Sequence, residues 1–218
     1  APSGATATTQ AAAPTAWGTN SSADVAEWTF RAGGRSVSRM ALMLRGRRLA
    51  ILADQVDGVE PGAPWECRTA VPDVLTVEPL ADAGGLVLRK RPGGKAAQLI
   101  PVGGGRLTFD AETRGLTLVQ SPAGSTAWLA TVVSWDSARN RKPPLWKPLT
   151  VAEKGKACPS DVAWAARVAW GLGESFVIYR SFGPPERRSF LGFTTTARFL
   201  VGRFATPEGD VDPIVTLA

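Results

Sequence analysis

A chain of 218 residues, 44% hydrophobic and 20% charged, can bury a substantial core, so global disorder is not expected. It contains no histidine, which removes Ser-His-Asp and Cys-His catalysis, His-ligated metal sites and histidine pH switches; two cysteines exclude a four-cysteine zinc site within one chain. The formal charge of +6 and sequence pI near 9.9 suit an anionic partner such as nucleic acid, an acidic polysaccharide or a membrane surface.

Ala1 to Ala16 is rich in Ala, Thr, Ser and Pro without periodicity. It reads as a linker, or as an extended arm able to meet a protein partner. It lacks the basic start and apolar centre of a signal peptide, and no run in the chain reaches the roughly 18 apolar residues of a membrane span. The compartment stays open, with an extracytoplasmic setting favoured; numbering from Ala1 is compatible with a processed or excised segment. Trp17 is the first residue expected to seek burial. Glu27–Phe30 reads as a short edge strand, and Gly33-Gly34 turns the chain into its strongest local pattern, Ser36 to Gly58.

There, two apolar runs, Met40–Leu44 and Leu49–Ala53, flank Arg45-Gly46-Arg47-Arg48. Gly46 can take the positive φ of a tight turn, and the arginines stay in water. Both faces of each run are mostly apolar, which predicts a hairpin deep in a two-layer β structure with Leu42, Leu44, Leu49, Ile51 and Leu52 at its centre. A helix over Arg39–Leu44 is the competing reading, since short apolar runs are ambiguous by periodicity.

Further strands are predicted at Trp65–Thr69, Leu75–Glu78, Leu86–Lys90, Ala96–Val102, Leu107–Phe109, Leu116–Gln120 and Trp128–Trp135, with a glycine joint at Gly103-Gly104-Gly105. Arg139 to Pro148 is basic and proline-rich, and reads as a long exposed loop. Asp161–Trp170 fits a helix capped by Asp161, or a strand that pairs with Ser175–Arg180; the GLGE turn favours the strand. Ser189–Thr194, Ala197–Phe204 and Val211–Leu217 close the chain. The turn spacing predicts an all-β fold: a large antiparallel β-sandwich over 17–218 with an extended N-terminal arm over 1–16.

Arginines cluster at predicted turns, among them Arg139, Arg141, Arg187 and Arg188, where charge is easily solvated. The eight tryptophans are expected to be mostly core, with Trp146 and Trp17 as exposed candidates. Arg139, Arg141, Lys142, Trp146 and Lys147 therefore make up the candidate binding set, on a loop of a kind that often carries function. Acidic residues are scattered and nothing selects a catalytic pair; Asp54 to Gly58 lacks the later Glu of a calcium loop. Tyr179 is expected to place its ring in the core and its hydroxyl at the rim. Cys67 and Cys158 are compatible with a disulfide, or with free thiols acting as small buried hydrophobes.

The hairpin and its sequel resemble the β-sandwich that follows the helical toroid in heparinase II/III-type polysaccharide lyases, and share their pattern with galactose-mutarotase-like sandwiches. The matching residues are Arg39, Gly46, Asp54, Val56, Gly58 and Trp65, over about a quarter of the chain. The resemblance implies a carbohydrate-associated sandwich. The lyases' catalytic Tyr and His lie in a helical domain; this chain has no histidine, so no catalytic residue carries over, and no metal or cofactor is implied. The expectation is a non-catalytic module that binds polysaccharide, acidic chains included. A structural or assembly module of a cell-surface or envelope complex is the alternative. An enzyme with paired carboxylates ranks third. Nucleic-acid binding ranks last, because the basic residues lack interleaved aromatics.

Overall fold

The computed structural model describes residues 14–80, 84–91, 93–171, 174–204 and 210–218. They form an all-β fold, as the turn spacing predicts. The first strands are β1 (Ala16–Thr19), β2 (Ala23–Ala32), β3 (Arg35–Leu44), β4 (Leu49–Asp57), β5 (Trp65–Ala70), β6 (Leu75–Leu80) and β7 (Gly85–Lys90). Then come β8 (Lys95–Pro101), β9 (Arg106–Asp110), β10 (Gly115–Gln120), β11 (Thr126–Ser134) and a 3-10 turn at Arg139–Arg141. β12 (Pro144–Leu149), β13 (Ala152–Glu153), β14 (Lys156–Ala157), β15 (Ala163–Trp170) and β16 (Ser175–Ser181) follow. β17 (Arg188–Phe190), β18 (Phe193–Thr195), β19 (Phe199–Phe204) and β20 (Val211–Leu217) complete the described strands.

These strands pair antiparallel in four sheets, ordered β1-β2-β3-β4-β11-β8-β7-β6, β5-β10-β9, β12-β15-β16-β19-β20 and β14-β13-β17-β18. Strand side chains alternate between faces, so each central strand can serve two apolar layers. Met40, Leu42, Leu44, Leu49, Ile51 and Ala53 meet Val168, Trp170, Phe176, Ile178, Phe199 and Val201 between the eight- and five-stranded sheets. On the other face of the eight-stranded sheet, Val37, Val56 and Leu129 meet Leu107, Leu116 and Leu118 of the three-stranded sheet. Val177, Tyr179 and Leu200 face Val151 and Phe190 on the outer side of the five-stranded sheet.

The central hairpin forms where its pattern predicts it: Leu44 pairs with Leu49, and Gly46 and Arg48 adopt positive φ in the turn. Its faces differ, however. Leu42, Leu44, Leu49 and Ile51 are buried, whereas Leu52 is 47% exposed because it points to the opposite side of β4. Glu27–Phe30 lies inside the ten-residue β2, longer than expected: β2 pairs with β3 along its length, while β1 pairs only with Asp24–Glu27, so among the described strands Trp28–Phe30 have a partner on one side. The arm expected over 1–16 falls outside the described residues up to position 13, and Ala16 already belongs to β1.

The loop expected over 139–148 is replaced by the 3-10 turn and by β12, an edge strand paired with β15. Pro144 and Pro148 are tolerated because an edge strand has one side that needs no hydrogen-bond partner. Pro79 in β6 and Pro213 in β20 occupy the same kind of position. Asp161–Trp170 is strand, not helix, and Ser189–Thr194 splits into β17 and β18 around Leu191 and Gly192, both at positive φ. The three glycines at 103–105 are not a loose joint. Gly103 is buried, and a Cβ there would collide with the Trp128 carbonyl, a backbone atom. Gln120 fastens this crossing: its Nε2 donates to the Gly103 carbonyl and its Oε1 accepts from the Trp128 amide at 2.7 Å.

Candidate functional site

The five residues expected to bind together do not form one surface. Arg139 is 5% exposed and sits between strands. Its Nε and Nη2 donate to the Glu174 carboxylate at 2.9 and 3.0 Å, and its Nη1 donates to the Arg47 carbonyl at 2.7 Å. The guanidinium also lies over the rings of Trp170 and Phe176, 5.3 and 5.5 Å from their centroids. Arg139 is thus a pin that ties the β3–β4 turn to the β15–β16 hairpin. Asp136 starts its turn by accepting from the amides of Arg139 and Ala138, and these bonds hold the Asp136 carboxyl below its ordinary range. Arg141, Lys142 and Lys147 are exposed. Trp146 is half-buried and packs against the main core, so as neighbours on β12 it and Lys147 point to opposite faces.

Arg188 is buried rather than solvated, with Nε on Glu153 at 2.9 Å and Nη1 on the Ser181 hydroxyl at 2.6 Å. Tyr179 is wholly buried and stacked on Phe190, its hydroxyl included, so it does not reach the rim. Only Trp128 and Trp170 are buried among the eight tryptophans; Trp17 and Trp135 are exposed and the other four half-buried. Both cysteines are free thiols. Among the described residues no group of three or more His, Cys, Asp or Glu is placed to hold a metal ion, and no helix is long and apolar enough to cross a membrane.

The side chains that do converge lie on the face of the eight-stranded sheet opposite the main core. Register places Trp17, Ala26, Ala41, Leu52 and Thr131 in one row across β1, β2, β3, β4 and β11. Thr19, Asp24, Met43, Ala50 and Val133 form the next row, and Trp28, Arg39, Asp54 and Leu129 the row on the other side. Trp17 is 66% exposed, Met43 46% and Leu52 47%, while Trp28, Ala41 and Ala50 are half-buried. The three exposed apolar side chains thus sit on adjoining rows of one sheet surface. From β1 to β4 the row spans about 14 Å at ~4.8 Å per strand.

Two ion pairs border this face. Arg39 donates through Nε and Nη2 to the two Asp54 oxygens at 2.7 and 2.8 Å. Arg45 donates through Nε and Nη2 to Asp24 at 2.9 and 2.6 Å, and through Nη2 to the Thr19 hydroxyl at 2.8 Å. The Arg45 hydrogen bonds, with one from Thr19, lower the Asp24 carboxyl to about 2; the bond to Asp54 raises the Arg39 guanidinium above its ordinary value. Beyond Arg39 the face runs into a cleft of about 300 Å³ under the three-stranded sheet, lined by Leu52, Leu99, Leu116, Leu118 and Leu129. Cys67 lies in it; burial and then the neighbouring Asp54 push its thiol up to about 12, so it is not a thiolate nucleophile.

A third polar group joins the eight- and five-stranded sheets. Arg180 donates to Gln55 Oε1 at 3.2 and 2.8 Å, faces Glu27 at 3.5 Å and covers the Trp128 ring at 5.4 Å. Arg198 donates to the other Glu27 oxygen at 2.8 Å. Glu27 and Arg180 are buried and face each other across the layer, which suits holding the sheets in register rather than meeting a ligand. No family model, curated protein or solved structure matches this chain.

Proposed function

We propose that the chain is a non-catalytic all-β module that binds polysaccharide through the open face of its eight-stranded sheet, accessory to or derived from a polysaccharide lyase of the heparinase II/III type. The observation that carries this is the exposed row of Trp17 and Leu52 with Trp28 and Met43 beside it, bordered by planar arginine–carboxylate pairs. Aromatic faces stack on the apolar faces of sugar rings, and polar groups at their edge take hydroxyls. Arg39, Gly46 and Asp54, three of the residues that carry the resemblance, help to build this face and its turn.

Affinity electrophoresis through gels containing polysaccharide tests the reading. The parent chain should be retarded by at least one polysaccharide. Trp17→Ala and Trp28→Ala should each weaken that binding about tenfold, the equivalent of 1.4 kcal/mol. Trp17→Ala should leave the unfolding midpoint unchanged, since its ring is exposed. Migration unaffected by every polysaccharide tried overturns the proposal.

One observation favours the second reading, an assembly module of a cell-surface or envelope complex. Among the described edge strands of four residues or more, β1 alone carries neither a proline nor a charged residue. An edge without these is open to pairing with another strand. Light scattering decides it: a monomer at all concentrations tested argues against assembly through β1.

A further inference from the structure

We infer that the polysaccharide taken by this face is an uncharged one, an inference that rests on the glycan reading above and narrows it. The chain as a whole is basic, which alone would favour an acidic polymer. The distribution of that charge points the other way. Both arginines whose ion pairs border the face already have an acid: Arg39 has Asp54 and Arg45 has Asp24. Exposed Lys147 on β12, Lys154 and Lys156 around the β13–β14 turn, and Arg141 and Lys142 before β12 belong to other parts of the molecule.

An acidic chain laid along the face would therefore meet Asp24 beside Arg45, and an Arg39 whose charge the buried Asp54 beneath it already neutralises. To gain a guanidinium it would have to displace a bidentate carboxylate and leave that carboxylate beside its own charge. An uncharged glycan meets no such conflict. A guanidinium carries five N–H donors and the paired carboxylate engages only some of them, so Arg39 and Arg45 each keep donors for a ligand, and the partly exposed Asp24 adds an acceptor beside Arg45, while buried Asp54 holds Arg39 in place. That arrangement suits adjacent sugar hydroxyls, each of which both donates and accepts. The apolar surface between the pairs, Trp17, Met43 and Leu52, has no use for charge.

The test compares retardation by uncharged polysaccharides, a β-glucan and a galactomannan, with retardation by a uronate polymer and a sulfated one, at about 50 mM and about 500 mM salt, which shortens the screening length roughly threefold. The expected result is binding to an uncharged polymer, changed less than twofold by salt, and none to the acidic ones. Asp24→Asn, which unpairs Arg45 at an exposed position, should then gain salt-sensitive binding to the uronate polymer. Preferential binding of the parent chain to a uronate or sulfated polymer, lost at high salt, overturns this inference while leaving the glycan reading in place. Binding to neither class overturns both.

Discussion

Ile51→Ala is expected to cost about 2–5 kcal/mol of stability, the range for deleting most of a buried aliphatic side chain. Ile51 has no exposed surface and lies in the layer shared by the eight- and five-stranded sheets, with Leu42 opposite it on β3. Leu44→Ala should fall in the same range, for Leu44 is 1% exposed in the same layer. A domain of this size is usually stable by only about 5–15 kcal/mol, so either change should lower the urea midpoint markedly or abolish soluble expression. The adjacent Leu52→Ala should cost far less, because its side chain stands on the open face. Arg47→Ala should change stability by less than about 0.5 kcal/mol: its contribution to the Arg139 pin is a backbone carbonyl, which alanine retains. Equal midpoints for Ile51→Ala and Leu52→Ala would show that the two faces of β4 are not divided as described.

Arg139→Ala is expected to cost about 2–4 kcal/mol, below the roughly 3–5 kcal/mol for breaking a fully buried pair. Its partner Glu174 is only partly buried and can regain water, which moderates the loss. The Arg47 carbonyl, the Ser134 hydroxyl and the two rings beneath the guanidinium lose their partner too. Arg139→Lys should recover little, because an ammonium cannot reproduce the fork that reaches the carboxylate and the carbonyl together. The exposed neighbour gives the control: Arg141→Ala should be nearly silent in the same denaturation experiment. If the two alanine variants unfold alike, Arg139 is not a pin.

The difference between Arg139 and Arg141 shows where sequence reasoning stops. Two arginines in one basic, proline-rich stretch are indistinguishable until the chain brings Glu174 and the Arg47 carbonyl to one of them. The hairpin was legible because its signals are local: two apolar runs and a glycine able to take positive φ. Its two-sidedness was not, since an all-apolar run does not say which alternate residues meet a second sheet and which stay open, as Ile51 and Leu52 do. β12 was misread because prolines exclude a central strand but not an edge, and edge position depends on topology. One part of the open face could have been found earlier. Counting outward from Leu44 opposite Leu49 sets Arg39 opposite Asp54, a cross-strand ion pair implied by the turn alone. The row from Trp17 to Leu52 needed the register of four strands, and no local pattern supplies it.

The pairing of β4 with β11 has a kinetic consequence. β2, β3 and β4 follow one another as a meander, so each can zip onto the last soon after its turn closes. β4 then waits for a neighbour whose first residue, Thr126, lies 69 positions beyond its partner Asp57. Closing so long a loop is slow compared with closing a hairpin turn. Until it closes, β4 is a bare edge with unpaired backbone groups, and Leu49, Ile51 and Ala53 stay uncovered until the later strands of the five-stranded sheet arrive, the sort of surface on which nascent chains stick to one another. Arg47 and Arg48 at the tip of this half-built unit give it a positive end, and like charge on neighbouring molecules opposes their association while β11 arrives. Pulse-labelled amide exchange during refolding should find β2 and β3 protected before β11. Simultaneous protection of all three would contradict this order of assembly.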